Sequence, residues 1–244
     1  MSVTTSNLLY EGKAKKIFAV VEHPESVLME FKDSLTAFNA LKKGSFDNKG
    51  RLNRQIASLV FRYLQKMGVA SHWQQDVGAH SMLTLRLQMI PLEVVVRNVL
   101  AGSTAKKFAL EEGTPLEQPL VELYFKSDAL ADPFISDEQA LMLKAADEQE
   151  IKRVKELGLI VNHHLKTFFA AVGLQLIDFK VEFGRAEDGR ILLADEITPD
   201  SCRLWDVATQ EKMDKDRFRR DLGRVKESYE EVYKRLRDRW ESEL

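Results

Sequence analysis

Apolar and polar residues alternate along the first thirty positions of the chain, as they do in strands that bury one face. The segments that this alternation predicts as strands are residues 8–11, 16–21 and 27–31. Helical spacing of apolar residues follows from Leu52 to Met67, and Gly68 is a typical residue at a helix end. Alternation resumes in residues 83–87 and 93–97, on either side of Pro91.

The interruption at Pro91 has two interpretations. We place a domain boundary there, which divides the chain into a β-rich part, residues 1–90, and a second part, residues 91–244. A proline between two strand segments can equally mark a bend within one sheet.

The second part of the chain begins with strands and then becomes helical. Asp147 is a typical N-cap residue for a helix whose apolar face extends to Phe168. A hairpin is predicted over residues 174–197. A last helix, with an apolar stripe, is predicted from about Asp216 to Trp240.

Composition and charge narrow the class of protein. The chain has 244 residues, and 36 Lys+Arg against 38 Asp+Glu give a net charge of −2, which argues against an extended non-specific nucleic-acid binder. The single cysteine, Cys202, excludes an internal disulfide. Residues 1–7 are polar, unlike a secretory signal, and no apolar run is long enough to span a membrane. The sequence therefore predicts a cytoplasmic enzyme.

The predicted hairpin carries the clearest chemical signal. Alternation places Asp178, Lys180 and Glu182 on the face opposite the apolar residues. The dipeptide at 188–189, Asp-Gly, favours a two-residue type I′ loop, which would put Glu182 directly opposite Asp195. Facing carboxylates repel, so a cation such as Mg²⁺ is expected between them. The alternative is a solvated outer face with charges of both signs.

Two further segments favour anion binding. In residues 12–15, Gly-Lys-Ala-Lys, a glycine and two lysines could cover a triphosphate, although the segment lacks the P-loop pattern and could be a solvated turn. Arg97 follows a run of valines and is predicted to face a cleft at a strand end. Ser103 is predicted to cap a helix over residues 104–110, whose N-terminus could bind a phosphate. A structural arginine and an ordinary capping serine are the alternative.

Polar loops supply the remaining candidates. Asp132 and its neighbours lie in an acidic loop that could be functional or simply solvated. The segment that leaves the hairpin, residues 196–206, places Arg203 where it could bind a phosphate or carboxylate with both arms. Residues 214–220 put cations at a predicted helix start, which indicates an anionic ligand or an ordinary charged surface.

These segments occur in one order, and together they resemble the SAICAR synthetase family of purine biosynthesis over nearly the whole chain. The matching segments are YEGKAKKIF (10–18), TAFNA (36–40), KG (49–50), PLEVVVRNVLAGS (91–103), ALADP (129–133), LIDFKVEFG (176–184), LADEITPDSCRLWD (193–206) and MDKDRFRRDLG (213–223). The resemblance departs in residues 40–47, where Asp47 is a candidate replacement for an acid of the family loop, and at Arg86, where the family often has lysine.

The resemblance implies an α+β fold with two lobes, a small antiparallel β-rich nucleotide lobe similar to a protein-kinase N-lobe and a larger α/β lobe, with ATP in the cleft. It implies an ATP-dependent ligase that uses Mg²⁺ and joins L-aspartate to carboxyaminoimidazole ribotide (CAIR) through an acyl phosphate, giving SAICAR, ADP and phosphate. It also implies a homodimer. From the charge balance and the apolar runs, we expect the chain to bind neither nucleic acid nor membrane. A small-molecule kinase and a non-catalytic nucleotide sensor are the alternative functions.

The resemblance also implies a role for each matching residue. The nucleotide is expected to contact Gly12, Lys13, Ala14, Lys15, Arg86 and Met89. The ribotide and its surroundings are expected to contact Arg97, Ser103, Asp132, Asp200, Ser201, Arg203 and Arg219. Asp178 and Lys180 would meet the CAIR carboxylate as catalytic residues, and Glu182 and Asp195 would bind Mg²⁺.

Overall fold

A computed structural model describes residues 3–38 and 40–244, so Asn39 of the TAFNA segment lies outside the described residues. The strands are β1 (Thr5–Glu11), β2 (Lys15–Val20), β3 (Ser26–Phe31), β4 (Ser34–Ala37), β5 (Lys42–Ser45), β6 (Trp73–Val77), β7 (Ser81–Leu85), β8 (Gln88–Val99), β9 (Pro115–Phe125), β10 (Phe134–Ile135), β11 (Leu174–Arg185), β12 (Ile191–Ala194) and β13 (Cys202–Asp206). The helices are α1 (Lys49–Lys66), α2 (Gly102–Lys107), α3 (Asp137–Met142), α4 (Glu148–Ala170), α5 (Asp216–Arg219) and α6 (Val225–Trp240).

The strands form antiparallel sheets, as the α+β prediction requires. One sheet has the order β1-β2-β3-β7-β6, and its first three strands confirm those predicted from the alternation. The other has the order β10-β9-β8-β11-β12, with β13 also paired to β11. Strands β4 and β5 form a separate hairpin.

The chain changes sheets between β7 and β8, and β8 then continues through Pro91. The ladder between β8 and β11 shifts between the pairs Glu182–Glu93 and Gly184–Met89. Pro91 therefore lies at a bulge, where its missing N–H costs no regular ladder bond. The division into lobes at residue 90 stays a prediction.

The prediction of α4 is confirmed at its start, where a capping residue marks the first turn, but the prediction of the last helix is not. The Asp147 carboxylate caps α4 by accepting a hydrogen bond from the Glu150 amide at 2.8 Å. The Glu150 carboxylate in turn accepts a hydrogen bond from the Asp147 amide at 3.0 Å, which completes a capping box. The single last helix predicted from Asp216 is wrong, because the backbone breaks into α5 and α6. Positive φ angles at Asp221 and Arg224 explain the break, since a helix cannot contain them.

The main core joins α1 to α4 and α6. The rings of Phe168 and Trp240 stack at 5.3 Å, and Tyr63 lies 4.8 Å from Phe168 and 5.0 Å from Trp240. This packing holds the end of α1, around Tyr63, against α4 and α6. Among the residues that the structure describes, every helix is too short or too polar to cross a membrane.

Candidate functional site

The hairpin of β11 and β12 has a different register from the predicted one. Glu182 pairs with Ala194 rather than with Asp195. The loop explains the difference, since the Gly189 amide donates to the Ala186 carbonyl at 3.0 Å and Gly189 has a φ of 82°. A turn followed by a left-handed glycine makes a three-residue loop, which shifts the pairing by one residue from that of a type I′ loop. The predicted pairing of Glu182 with Asp195 is therefore wrong.

Asp195 still reaches the cavity that Glu182 faces, because the backbone turns directly after β12. Asp195 has a φ of 63°, which takes it out of the extended conformation. Both side chains line a cavity of about 800 Å³ bordered by residues of both sheets. Glu182 is 1% exposed and Asp178 is 3% exposed. The alternative of a solvated outer face on β11 is therefore wrong.

Most of the predicted site residues line this one cavity. They are Gly12, Lys13, Ala14, Lys15, Arg86, Met89, Arg97, Asp132, Asp178, Lys180, Glu182, Asp195, Asp200, Ser201, Arg203 and Arg219. Ser103 is exposed and does not line it. The prediction that Ser103 caps a helix over residues 104–110 is also wrong, since α2 begins at Gly102 and its N-cap residue is Ala101. The candidate replacement acid, Asp47, is exposed and does not line the cavity either.

Lysines and carboxylates alternate at one end of the cavity. This lysine–carboxylate cluster consists of Lys15, Glu93, Lys126, Lys180, Glu182, Asp195 and Glu196. Lys15 contacts Asp195 directly, and its Nζ lies 3.1 Å from Glu196 Oε1. The alternative of a solvated lysine turn is therefore wrong for Lys15, although the neighbouring Lys13 contacts Asp128 at 2.6 Å on a more exposed surface.

The two other lysines of the cluster hold the Glu182 carboxylate from different sides. Lys180 Nζ lies 2.7 Å from Glu93 Oε1 and 3.3 Å from Glu182 Oε1. Lys126, from the loop after β9, contacts the other oxygen of Glu182. Carboxylates that would repel one another are thus separated by ammonium groups, which stabilises their charged forms.

The charges of the cluster stabilise one another against burial. Burial disfavours the charged forms, but Lys15, Lys180 and Lys126 hold the pKa of Asp195 well below its usual value. Burial likewise opposes the charge on Lys180, but Glu182, Glu93 and Asp195 raise its pKa well above the ordinary value. Lys180 is therefore a permanent cation at neutral pH, suited to stabilising anions rather than to accepting a proton.

The donor set of the cluster fits Mg²⁺. Glu182 and Asp195 offer carboxylate oxygens to the cavity, and oxygen is the ligand that this ion prefers. Within residues 3–38 and 40–244, no group of three or more His, Cys, Asp or Glu side chains is arranged to hold a metal alone. One or two carboxylates plus phosphate oxygens and water is the usual coordination of Mg²⁺ at a nucleotide. The pair therefore fits an ion that arrives with a triphosphate.

A second network of charges lines the cavity four positions further along β8 and β11, at the Arg97–Asp178 pair. Arg97 Nε donates to Glu122 at 2.7 Å, and its Nη1 donates to Asp178 at 2.6 Å. Arg203 Nη1 donates to the same Asp178 oxygen at 2.9 Å, and its Nε donates to Asp216 at 3.0 Å. This arginine–carboxylate network fixes two guanidinium groups in the cavity wall. Guanidinium groups held in this way suit phosphate or carboxylate ligands.

Gly102 makes room for this network. A Cβ atom at Gly102 would lie 2.5 Å from Arg203 Nη2, and Gly102 has a φ of 61°. A side chain there would both strain the backbone and displace the guanidinium. Arg219 extends the network by donating to Asp216 at 2.6 Å. Although burial opposes its charge, Arg203 and then Arg219 lower the pKa of Asp216 to about 2.

Asp200 is held by residues from distant parts of the chain. Its Oδ2 accepts from Lys49 and from Asn53 Nδ2, the latter at 2.8 Å. Its Oδ1 accepts from the Tyr229 hydroxyl at 2.8 Å. Burial disfavours the ionised carboxyl, but Lys49 holds the pKa of Asp200 well below its usual value. The beginning of α1 and the helix α6 thus fix one wall of the cavity.

Some of these residues had no predicted role. Lys126 stands in a loop in which only the acids were considered, and a lysine beside acids is a signal that could have been used. Lys49 and Glu93 lie in segments that match the family, KG (49–50) and PLEVVVRNVLAGS (91–103), but neither was given a role. Tyr229 gave no local signal, and the partners of all three residues are far away in sequence. His72, also in the cavity wall, follows no motif.

Comparison with known proteins decides the family. The family model for SAICAR synthetase matches residues 8–236. The chain belongs to the SAICAR synthetase family. A phosphoribosylaminoimidazole-succinocarboxamide synthase of Halalkalibacterium halodurans is 51% identical over 231 residues, which cover 94% of this chain and 97% of that protein.

Solved structures of SAICAR synthetases have the same fold. The crystal structure of the Ehrlichia chaffeensis synthase matches with a TM-score of 0.91 and 42% identity, covering 94% of this chain and 98% of that one. A SAICAR synthetase in complex with ADP matches with a TM-score of 0.90 and 46% identity, covering 93% and 96%. The resemblance found in the sequence is confirmed, and the chain is an ATP-dependent ligase of purine biosynthesis.

Proposed function

We propose that the chain joins the amino group of L-aspartate to the carboxylate of CAIR, with ATP as the phosphoryl donor, to give SAICAR, ADP and phosphate. The observation that carries the proposal is the pairing of two charged clusters in one cavity. The lysine–carboxylate cluster suits a metal-bound triphosphate, and the arginine–carboxylate network suits an anionic second substrate. A similar protein has been solved with ADP, which supports nucleotide binding in this chain.

The chemistry needs an activated carboxyl group, because a carboxylate is a poor acyl donor. A CAIR carboxylate oxygen attacks the γ-phosphorus of ATP, the bond to the bridging oxygen breaks, and ADP leaves. The aspartate amine then attacks the acyl carbon, inorganic phosphate leaves, and the amine loses its proton. Positioning and charge neutralisation supply most of the catalysis of phosphoryl transfer.

The lysine–carboxylate cluster would form the part of the cavity that binds the nucleotide. Residues 12–15 would cover the phosphates, and Arg86 and Met89 would lie beside the base at the connection between the sheets. Glu182 and Asp195 would hold Mg²⁺, which, when bound, neutralises phosphate charge. Their present lysine partners would then be free to contact phosphate oxygens.

The arginine–carboxylate network would form the part of the cavity that binds CAIR. Its arginines, Arg97, Arg203 and Arg219, would bind the ribotide phosphate and its surroundings. Lys180, which is a permanent cation, would stabilise the CAIR carboxylate as it acquires the phosphoryl group, and Asp178 would orient the two arginines that it contacts. The remaining predicted contacts are Ser103, Asp132, Asp200 and Ser201, of which Ser103 would require a ligand that extends beyond the cavity wall.

One assay distinguishes the ligase from the alternative kinase. Purified protein receives Mg·ATP and CAIR, with and without L-aspartate, and ADP release and product mass are measured. A ligase gives SAICAR only with aspartate, whereas a kinase gives a stable phosphorylated product and is indifferent to aspartate. ATP binding without turnover under both conditions would favour the nucleotide-sensing alternative.

We also propose that the chain is a homodimer, as the resemblance implies, and that it acts in the cytoplasm, as the sequence predicts. The subunit mass is 28.0 kDa, so light scattering is expected to give twice that value. A mass that stays at the value of one subunit at micromolar concentration would contradict the dimer.

A further inference from the structure

Two polar side chains in the cavity wall have no hydrogen-bond partner within the described part of the chain. Both ring nitrogens of His72 and the hydroxyl of Thr84 are buried and unpaired. His72 is 4% exposed and Thr84 is 0% exposed, and both line the cavity. Buried polar atoms are nearly always paired, and leaving one unpaired is costly. Because they line the cavity, these atoms are available to pair with a polar group of a ligand.

Thr84 lies on an otherwise apolar part of the cavity wall. It pairs with Val27 across β3 and β7, so the two side chains share one face of the first sheet. Ile17 and Met29, which pair across β2 and β3, are on the same face and also line the cavity. An apolar wall of this kind suits the flat face of an aromatic ring, and the hydroxyl of Thr84 lies among these apolar groups.

His72 lies where the two sheets meet. Its amide donates to Leu193 at 2.8 Å, and its carbonyl accepts from the Leu85 amide at 2.7 Å. Its ring contacts Phe61 edge-on, with centroids 5.2 Å apart. The backbone bonds and the ring contact fix the imidazole, so its nitrogens are held in place for a ligand.

We propose that His72 and Thr84 read the polar edge of the nucleobase and select adenine through its 6-amino group. The proposal rests on the proposed use of ATP and adds the residues that determine base specificity. The amino group donates hydrogen bonds, and both the imidazole and the hydroxyl can accept one. A buried site built to hydrogen-bond a ligand group discriminates strongly against an analogue that lacks it.

The test compares ATP with purine riboside triphosphate, which lacks only the amino group, and measures their dissociation constants by calorimetry. For the unmodified protein we expect ATP to bind about 10-fold to 100-fold more tightly. His72→Leu and Thr84→Val should each reduce the ratio of the two dissociation constants towards one. They should do so by weakening ATP binding, with little change in the dissociation constant of purine riboside triphosphate. His72→Gln keeps a donor and an acceptor and should restore part of the ratio.

Val27→Ala is the matched control, because it removes an apolar neighbour of Thr84 on the same sheet face. It should weaken the binding of both nucleotides by the same factor and leave the ratio of their dissociation constants unchanged. The proposal is overturned if the unmodified protein binds both nucleotides equally, an outcome that does not depend on whether the variants fold. It is also overturned if folded His72→Leu and Thr84→Val keep the full ratio. Because binding is measured directly, neither result depends on whether SAICAR is formed.

Discussion

Replacing Lys15 by methionine would leave the Asp195 carboxylate buried without its main counter-ion. The Lys15 and Asp195 side chains are 13% and 15% exposed, so water screens the pair little. Breaking a buried ion pair costs about 3–5 kcal/mol. Lys180 and Lys126 still favour the ionised carboxyl, so we expect a loss near the lower limit, about 3 kcal/mol. For a chain of this length, that loss lowers the melting temperature by about 6–12 °C.

Urea and thermal unfolding of the nucleotide-free protein at pH 7 measure this loss. Lys32→Met is the matched control, because Lys32 also belongs to this end of the first sheet but pairs with an exposed partner, Glu11. Lys32→Met should lower the free energy of unfolding far less than Lys15→Met does. Lys15→Met combined with Asp195→Asn should recover much of the loss, since the uncompensated charge is removed. The reasoning is refuted if Lys15→Met costs no more than Lys32→Met, or if the double variant recovers nothing.

The same pair predicts a pH dependence. The pKa of Asp195 in the folded protein lies below its unfolded value of about 3.9. Its contribution to stability is therefore present above that value and is lost as the pH falls through the folded pKa. The difference in stability between the unmodified protein and Lys15→Met should be largest near pH 7 and should narrow below about pH 4.

The remaining predictions concern the two groups of charges in the cavity. Glu182→Gln or Asp195→Asn should abolish turnover of Mg·ATP in a protein that is less stable but still folded at 25 °C, measured by ADP release and circular dichroism; near-normal turnover in both would contradict the metal assignment. Arg203→Lys should raise the KM for CAIR more than that for ATP, because a lysine cannot bridge two carboxylates as the guanidinium does; equal effects on both substrates would count against its placement. Gly102→Ala should weaken CAIR binding in the same way, since a Cβ atom would displace Arg203, and an unchanged KM would show that the guanidinium adjusts without loss.

The sequence predicted the elements that local chemistry decides. The strands of the first sheet followed from alternation, and α4 followed from the capping box at Asp147. The break between α5 and α6 was missed, because Asp221 and Arg224 adopt positive φ angles that their residue types do not require. Gly223, which lies between them, was the local signal for that break.

The register of the hairpin shows where local reasoning stops. Asp-Gly at 188–189 suits a two-residue loop, but a glycine in the left-handed conformation also closes a three-residue loop. The two loops differ by one residue in pairing, and the sequence gives no means of choosing. Glu182 and Asp195 nevertheless line one cavity, because Asp195 turns out of the strand.

The partners of the buried charges could not be predicted for a different reason. Lys126 meets Glu182 across 56 positions, and Lys49 meets Asp200 across 151 positions. Such contacts depend on how the sheets and helices are assembled, which a periodic pattern does not determine. The family resemblance supplied the proposed site residues, whereas the residues that hold them in place emerged only from the structure.

The packing of α1 against α6 has a consequence for the synthesis of the chain. A ribosome releases α1 long before it has made Trp240, whose ring completes the aromatic contacts with Tyr63 and Phe168. Tyr229, in the same late helix, also supplies one of the bonds to Asp200. A nascent chain that ends before residue 225 therefore lacks α6, which covers the aromatic side chains of the core and supplies one of the hydrogen bonds that fix the cavity wall. Nucleotide added to stalled ribosomes should protect only the longer chains from protease.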